Sequence, residues 1–242
     1  MNAKSDRGIE TNETKNKERQ HIALMSFNNN SNIGLYAFAT DEVCLVGQEV
    51  DDESISKIKE ILKVPTHKIS IAGTSLIGVF CAGNSNVLLV PHIIQKSEED
   101  ELIKLGINYK KLNTKFTALG NIIATNDKGA VLSPEFSNEE VKLISEHLAV
   151  PAKKGKISEL NNMGSCLKVN NIGGIAHKDI NKAEVEFIQN VLQIEILDGT
   201  VNMGSPYVNS GIIANSNGFI IGSQSAGPEI TNADIALGFL KE

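Results

Sequence analysis

Nucleophilic or metal-assisted chemistry in this 242-residue chain would rest on three cysteines, five histidines and its loop aspartates. Cys44, Cys81 and Cys166 each sit in an apolar run (VCLV, VFCAG, SCLKV) and show no CxxC spacing. Buried, reduced thiols are expected there, not a zinc ribbon or a disulfide framework. The histidines are His21, His67, His92, His147 and His177. His92 and His177 fall near the ends of apolar strands, at matched places along the chain. They are either paired ligands or strand-end packing, and neither has a cysteine or second histidine at metal spacing. Asp127, Asp179 and Asp198 are either acids or turn residues. No GxxxxGK[ST], GxGxxG, HExxH or GxSxG motif occurs. Ala152–Lys156 (AKKGK) is the most basic local run, open to a phosphate contact or a solvated face.

Composition narrows the alternatives. The chain is 41% hydrophobic and 21% charged, ordinary for a globular domain. Aromatics are 5% with no tryptophan, which argues against a surface of stacked bases. A net charge of −6 argues against broad phosphate neutralisation. Nucleic acid would be met over a small patch or through a protein partner. No apolar run reaches the length of a membrane span. The thiols point to a reducing cytoplasm. MNAKSDRGIETNETKNKERQ lacks the apolar core of a signal peptide. Residues 1–24 are expected to be a disordered extension, with Met25 as a second start.

The elements that would position a site come in a repeat. A strand, a polar turn, an apolar strand and a capped helix recur in segments beginning at Ile33, Ile77, Asn121, Ser165 and Asn209. Aligning Gly34, Gly78, Asn121, Ser165 and Asn209 gives separations of 44, 43, 44 and 44. The turns, such as Asn126-Asp127-Lys128-Gly129 and Asn215-Ser216-Asn217-Gly218, carry residues that tolerate positive φ. Helix starts are read at Asp51/Asp52/Ser54, Ser97 with Asp100, Ser137 with Glu140, Asn181 with Glu184, and Thr231 with Asp234. Apolar stripes follow, as in Val141, Ile144 and Leu148. Pro65 and Pro151 stop two helices.

Units this small cannot bury a core alone, and closing them into a ring removes sheet edges. The sequence therefore predicts an α+β ring of five repeats of about 44 residues, strands inside and helices outside. The repeats span 33–76, 77–119, 120–163, 164–207 and 208–242, closed by 25–32, in one domain covering 25–242. Equivalent loops then share a face. The junctions are small and polar: Ser26–Gly34, Ala72–Gly78, Thr117–Asn121, Asn161–Ser165 and Gly199–Ser205. They suit either docking on a large flat partner or tight turns alone.

The stretches MSFNNNSNIG, SIAGTSLIG, LLVP, TALGNIIATND, NIGGIAH and DGTVNMGS, in this order from Met25, resemble the archaeal and eukaryotic translation initiation factor 6 family of ribosome anti-association factors. The resemblance implies a five-fold pseudosymmetric α/β propeller, the pentein fold. It implies a monomer that binds the large ribosomal subunit on its intersubunit face, chiefly a ribosomal protein beside the sarcin–ricin loop, with at most a minor rRNA contact. Bound there, it blocks subunit joining and serves in large-subunit maturation. In eukaryotes, release uses an elongation-factor-like GTPase. No catalytic residue, cofactor, metal or membrane is implied. The ribosome-binding positions carry over to Phe27, Asn28, Asn29, Gly73, Gly78, Gly120, Asn121, Gly164, Ser165, Asn202, Gly204 and Ser205. Val79 and Met203 stand where eukaryotic members tend to have arginine. A chain ending at Glu242, without the eukaryotic regulatory tail, resembles archaeal members. The alternative is a pentein guanidine-modifying hydrolase or transferase, but those place a nucleophilic cysteine late in the chain, where this sequence has none.

Overall fold

The computed structural model describes residues 21–241. Each repeat is one blade: a single helical turn, a strand, a tight turn, an antiparallel strand, a long helix, and a third strand parallel to the middle one. Blade one is α1 (a 3₁₀ turn, Ile33–Leu35), β2 (Ala37–Ala39), β3 (Cys44–Gly47), α2 (Asp52–Leu62) and β4 (Thr66–Ile69). Blade two is α3 (Ile77–Phe80), β5 (Ala82–Gly83), β6 (Leu88–Pro91), α4 (Lys96–Lys104) and β7 (Tyr109–Leu112). Blade three is α5 (Leu119–Ile122), β8 (Ile123–Thr125), β9 (Ala130–Leu132), α6 (Asn138–Leu148) and β10 (Ala152–Lys154). Blade four is α7 (Met163–Cys166), β11 (Leu167–Val169), β12 (Gly173–His177), α8 (Lys182–Leu192) and β13 (Glu195–Gly199). Blade five is α9 (Val208–Gly211), β14 (Ile212–Ala214), β15 (Phe219–Gly222) and α10 (Gly227–Ala236).

Blade five takes its third strand from the other end of the chain. β1 (Ile22–Met25) pairs in parallel with β15, Ile22 opposite Phe219 and Met25 opposite Gly222. The closing segment is thus 22–25, not 25–32, and the folded ring includes residues 21–24. His21 confirms this: its ring stacks on Phe239 at 5.0 Å and its Nε2 lies 2.8 Å from Asp234 Oδ1. Of the extension expected at residues 1–24, residues 1–20 lie outside the described residues.

The five sheets each have three strands, and the apolar side chains divide in the same way. Five buried clusters form, and each draws from two adjacent blades. One joins Leu45 and Ile69 of blade one to Leu88, Val90 and Leu102 of blade two. Another joins Ile213 and Ile220 of blade five to Ile58, Ile61 and Leu62 of blade one. The cores therefore lie at the seams, so a lone blade has nothing to fold around. This is the physical reason for the closed ring: an open row would leave one apolar sheet face uncovered.

A polar belt staples four of the five seams. The buried Asn126 donates through Nδ2 to the carbonyls of Asn170 (3.2 Å) and Leu192 (3.0 Å) of the next blade. Its Oδ1 meanwhile accepts the N–H groups of Lys128 and Gly129 in its own turn. Asn84, Asn170 and Asn215 repeat the arrangement, each reaching the next turn and the end of the next long helix. Blade one has Thr40 at this place. Its hydroxyl accepts within its own turn from Glu42 and Val43 but does not reach across to blade two.

Several local assignments change. The third strands were not read from sequence; β7 (YKKL) and β10 (AKK) are too polar to stand out as strands. Ala152–Lys156 accordingly begins as a strand on β9. The segments at Ile33 and its equivalents open with a helical turn before the strand. α4 starts after Gln95 and α10 after Ala226, whose backbone N–H groups donate to Glu98 and Glu229; Ser97/Asp100 and Thr231/Asp234 are not their caps. Asp51, Ser137 and Asn181 do cap α2, α6 and α8. The helices before Pro65 and Pro151 end on left-handed residues, Lys63 (φ 55°) and Ala149 (φ 58°).

Candidate docking face

The single-turn helices α1, α3, α5, α7 and α9 pack on one another in a circle around the pseudo-axis. The second residue of each sets how close they come: Gly34, Gly78, Gly120, Gly164 and Asn209. A Cβ on Gly78 would lie 1.9 Å from the Gly34 carbonyl oxygen, and one on Gly120 would lie 2.0 Å from that of Gly78. Gly34 and Gly164 face their preceding blades in the same way. Close backbone approach excludes a side chain at these four positions. The true register is therefore Gly34, Gly78, Gly120, Gly164 and Asn209, spaced 44, 42, 44 and 45 residues. Asn121 and Ser165 lie one residue further on than their sequence alignment implied.

This circle frames one shallow depression of ≈ 360 Å³. Asn32, Leu35, Gly78, Asn121, Ser165, Ser205, Tyr207, Asn209 and Ser210 line it. All five single-turn helices contribute, which fixes the depression on the pseudo-axis.

Four loops stand before these helices and turn back in a short bridge: Phe27 with Asn30, Ile71 with Thr74, Ile157 with Leu160, and Val201 with Ser205. Their tips have positive φ at consecutive residues, Asn28 (50°) and Asn29 (62°), Ala72 (55°) and Gly73 (72°), Ser158 (50°) and Glu159 (64°), and Asn202 (49°) and Met203 (63°). In the first three that is the conformation a two-residue type I′ turn requires, while the fourth tip holds three residues, with Gly204 (φ 99°) as the third. The loop before α5 lacks this bridge.

Carboxylates on the long helices hold three of the loops. Glu98 accepts the N–H groups of Ala72 and Gly73, both at 2.8 Å. Glu184 accepts from Ser158. Glu229 accepts from Met203, Gly204 and the Thr200 hydroxyl. Each also receives the N–H three residues before it, so one carboxylate both caps a helix and fixes a loop. Burial opposes ionisation of Glu229, yet the bonds from Ala226, Thr200, Gly204 and Met203 outweigh it and lower its pKa.

The twelve carried-over positions separate accordingly. Asn28, Asn29, Gly73 and Gly204 are exposed at loop tips. Asn121, Ser165 and Ser205 line the depression. Asn202 is half-buried and tied by its Nδ2 to the Ser31 carbonyl. Phe27, Gly120 and Gly164 are buried, and Gly78, though buried, lines the depression. The Phe27 ring packs edge-on against Tyr36, and the glycines set the helix circle. Sequence reasoning missed the Ser158–Glu159 tip and the loop-anchoring bonds of Glu98, Glu184 and Glu229, of which only Glu184 was read, as a cap partner. It also missed the exposure of Met203, whose side chain is 80% accessible at its tip.

The catalytic candidates disperse. Burial raises the Cys44 thiol to about 12 and the Cys166 thiol to about 11, and holds Cys81 higher still. His177 is buried, packs edge-on against Tyr207 and accepts the Asp179 N–H, while His92 is exposed. Among the described residues, no cluster of histidine, cysteine and carboxylates could hold a metal, and no helix is long and apolar enough to cross a membrane. Asp127 bonds to Ser85 and Asn171 as part of the turn network.

The eIF-6 family model matches residues 22–235. The chain belongs to the eIF-6 family. Curated relatives of this eIF-6 protein agree. Translation initiation factor 6 of Thermococcus onnurineus is 37% identical over 226 residues, 91% of this chain and 99% of that protein. The Pyrococcus abyssi factor is 38% identical over 91% of this chain and 100% of its own. That of Saccharolobus islandicus is 36% identical over 90% and 99%. Among solved structures, an arginine dihydrolase of the cyanobacterial ornithine–ammonia cycle matches 68% of this chain and 29% of its own, at 10% identity and a TM-score of 0.45. The chain spans under a third of that enzyme, a likeness too slight to bear on activity.

Proposed function

We propose that this eIF-6 protein docks on the large ribosomal subunit through the face of its single-turn helices, and there prevents the small subunit from joining. The observation that carries this reading is the depression to which all five blades contribute. Around it stand tips that offer Asn28, Asn29, Gly73, Met203 and Gly204 to a partner. The glycine circle fixes the floor of this face, and the glutamate anchors leave three of its loops little freedom to lose on binding. A net charge of −6 suits a basic ribosomal protein as the main contact, with complementary charge speeding encounter. Steric occlusion requires no nucleophile, metal or cofactor. A part in large-subunit maturation and release by an elongation-factor-like GTPase belong to the same proposal, as does action as a cytoplasmic monomer. Co-sedimentation with isolated large subunits tests it. The protein should migrate with them and reduce their joining to small subunits. Folded protein that stays at the top of the gradient at low salt overturns the reading.

A further inference from the structure

The seam between blades one and two lacks a bond that the other four seams have. In those, one asparagine Nδ2 reaches two carbonyls of the next blade, one in its turn and one at the end of its long helix. The carbonyls so held are those of Asn126 and Leu148, Asn170 and Leu192, Asn215 and Leu237, and Thr40 and Leu62. Blade two's counterparts are Asn84 and Leu105. Leu105 is identified by how its helix ends. α4 and α10 finish alike: Leu105 and Leu237 keep right-handed backbone, and a left-handed glycine follows, Gly106 (φ 72°) and Gly238 (φ 84°). Among the described residues, no protein group donates to the Asn84 or the Leu105 carbonyl.

A second closure is missing at the same place. Two positions after the staple, the turn residue in three other blades covers the next helix end. Lys128 Nζ donates to the carbonyls of Asn171 (3.0 Å) and Gln193 (3.2 Å). Asn217 Nδ2 donates to the Leu62 carbonyl at 3.0 Å. Ile172 packs so near Gly238 that a Cβ there would lie 2.3 Å from its Cγ2. Blade one has Glu42 at this position, exposed and with no side-chain partner among the described residues. A Cβ on Gly106 would meet nothing within 4 Å. The space left open is a cleft of ≈ 440 Å³. Glu42, Asn84 and Leu105 border it, along with the apolar Val43, Leu88 and Ile107, and no lysine or arginine lines it. It shares no lining residue with the depression on the docking face.

Two carbonyls and a carboxylate thus border one cleft to which the protein brings no donor. The Leu105 carbonyl also stands at the negative end of α4, where a cation is favoured. An ammonium carries three N–H donors and no acceptor, which matches three acceptors. Lys128 shows an ammonium holding the corresponding carbonyls two seams away. We propose that the cleft between blades one and two binds a primary alkylammonium. Its head lies among the Asn84 and Leu105 carbonyls and the Glu42 carboxylate, and its stem lies along Val43, Leu88 and Ile107. A bare monovalent metal ion would make no use of that apolar wall.

n-Butylammonium is the probe. Titrated into the isotope-labelled full chain against sodium chloride at constant ionic strength, it should shift the amide resonances of residues 84–88 and 105–108 to saturation. Tetramethylammonium has the same charge but no N–H, and should not. Thr40→Asn gives this seam the staple of the other four. Its amide should take both carbonyls, raise the Tm by about 2–4 °C and abolish the response to the probe. Glu42→Gln keeps the carbonyls but removes the charge, and should weaken binding about threefold. The proposal is overturned by the absence of a saturable shift in the wild-type protein, or by equal shifts from tetramethylammonium or potassium. Full affinity in folded Thr40→Asn also overturns it. Should that variant not fold, unchanged affinity in Glu42→Gln does the same.

Discussion

The Glu229 carboxylate accepts the Gly204 N–H at 2.9 Å on one side and the Ala226 N–H at 2.8 Å on the other. One side chain thus couples the first turn of α10 to the loop tip that carries Met203. Replacing it with alanine removes both bonds. Glu229→Ala should weaken large-subunit binding several-fold and speed hydrogen exchange at 201–205, with the ring still folded. Losing a cap costs about 1 kcal/mol. Unaltered exchange in the loop would show that the carboxylate does not hold it.

The same group gives a pH dependence with a defined sign. Its folded pKa lies below the ordinary 4.5, so its contribution is present above that pH. It is lost as pH falls through the lowered folded value. Exchange at 201–205 should therefore rise in wild type as pH drops below about 4.5, after correction for intrinsic rates. Glu229→Ala should show no such rise.

Gly78→Ala places a methyl 1.9 Å from the Gly34 carbonyl oxygen, and that oxygen belongs to backbone that cannot swing aside. Overpacking of this kind costs roughly 1–3 kcal/mol or more. Thermal unfolding should show Tm lower by about 5–10 °C. Gly227→Ala, where an added Cβ meets nothing within 4 Å, is the control and should change little.

Asn121→Arg puts a bulky cation on the floor of the depression, from a half-exposed position. Binding to large subunits should fall at least tenfold with the Tm unchanged. Equal affinity by co-sedimentation would mean another face docks.

The belt of asparagine staples is broken between blades one and two. Thr40 reaches no carbonyl of blade two, and a cleft of ≈ 440 Å³ opens there beside His67 and Asn108. Native-state hydrogen exchange should find this seam the first to open. Asn126→Ala should create a second weak seam, leaving the Asn170 and Leu192 carbonyls without their donor at a cost of about 1–3 kcal/mol.

The ring was legible because its period is written in turns. Asn84, Asn126, Asn170 and Asn215 must each fold their own hairpin, and that local demand marks the sequence. What stayed hidden depends on contacts between blades. Only the neighbour's carbonyl shows why Gly120 and Gly164, and not Asn121 and Ser165, are the counterparts of Gly78. The starts of α4 and α10 were misread for a similar reason. Ser97 and Thr231 are better caps by type, yet loops from elsewhere pin Glu98 and Glu229 and set where those helices begin. Phe27 was expected on the docking surface only from the resemblance; its ring is core.

The closing strand has a consequence for how the molecule is made. His21 and Asp234 touch across 213 positions of sequence. A growing chain completes blades one to four in order, each covering the last, while β1 waits unpaired beside the first. Blade five's hairpin of β14 and β15 is made last of these strands, and β1 then joins it as the third strand. The seam between blades five and one therefore forms only after β15 has been made. A copy ending before β15 would keep β1 but give it no partner, leaving the ring open between blades five and one.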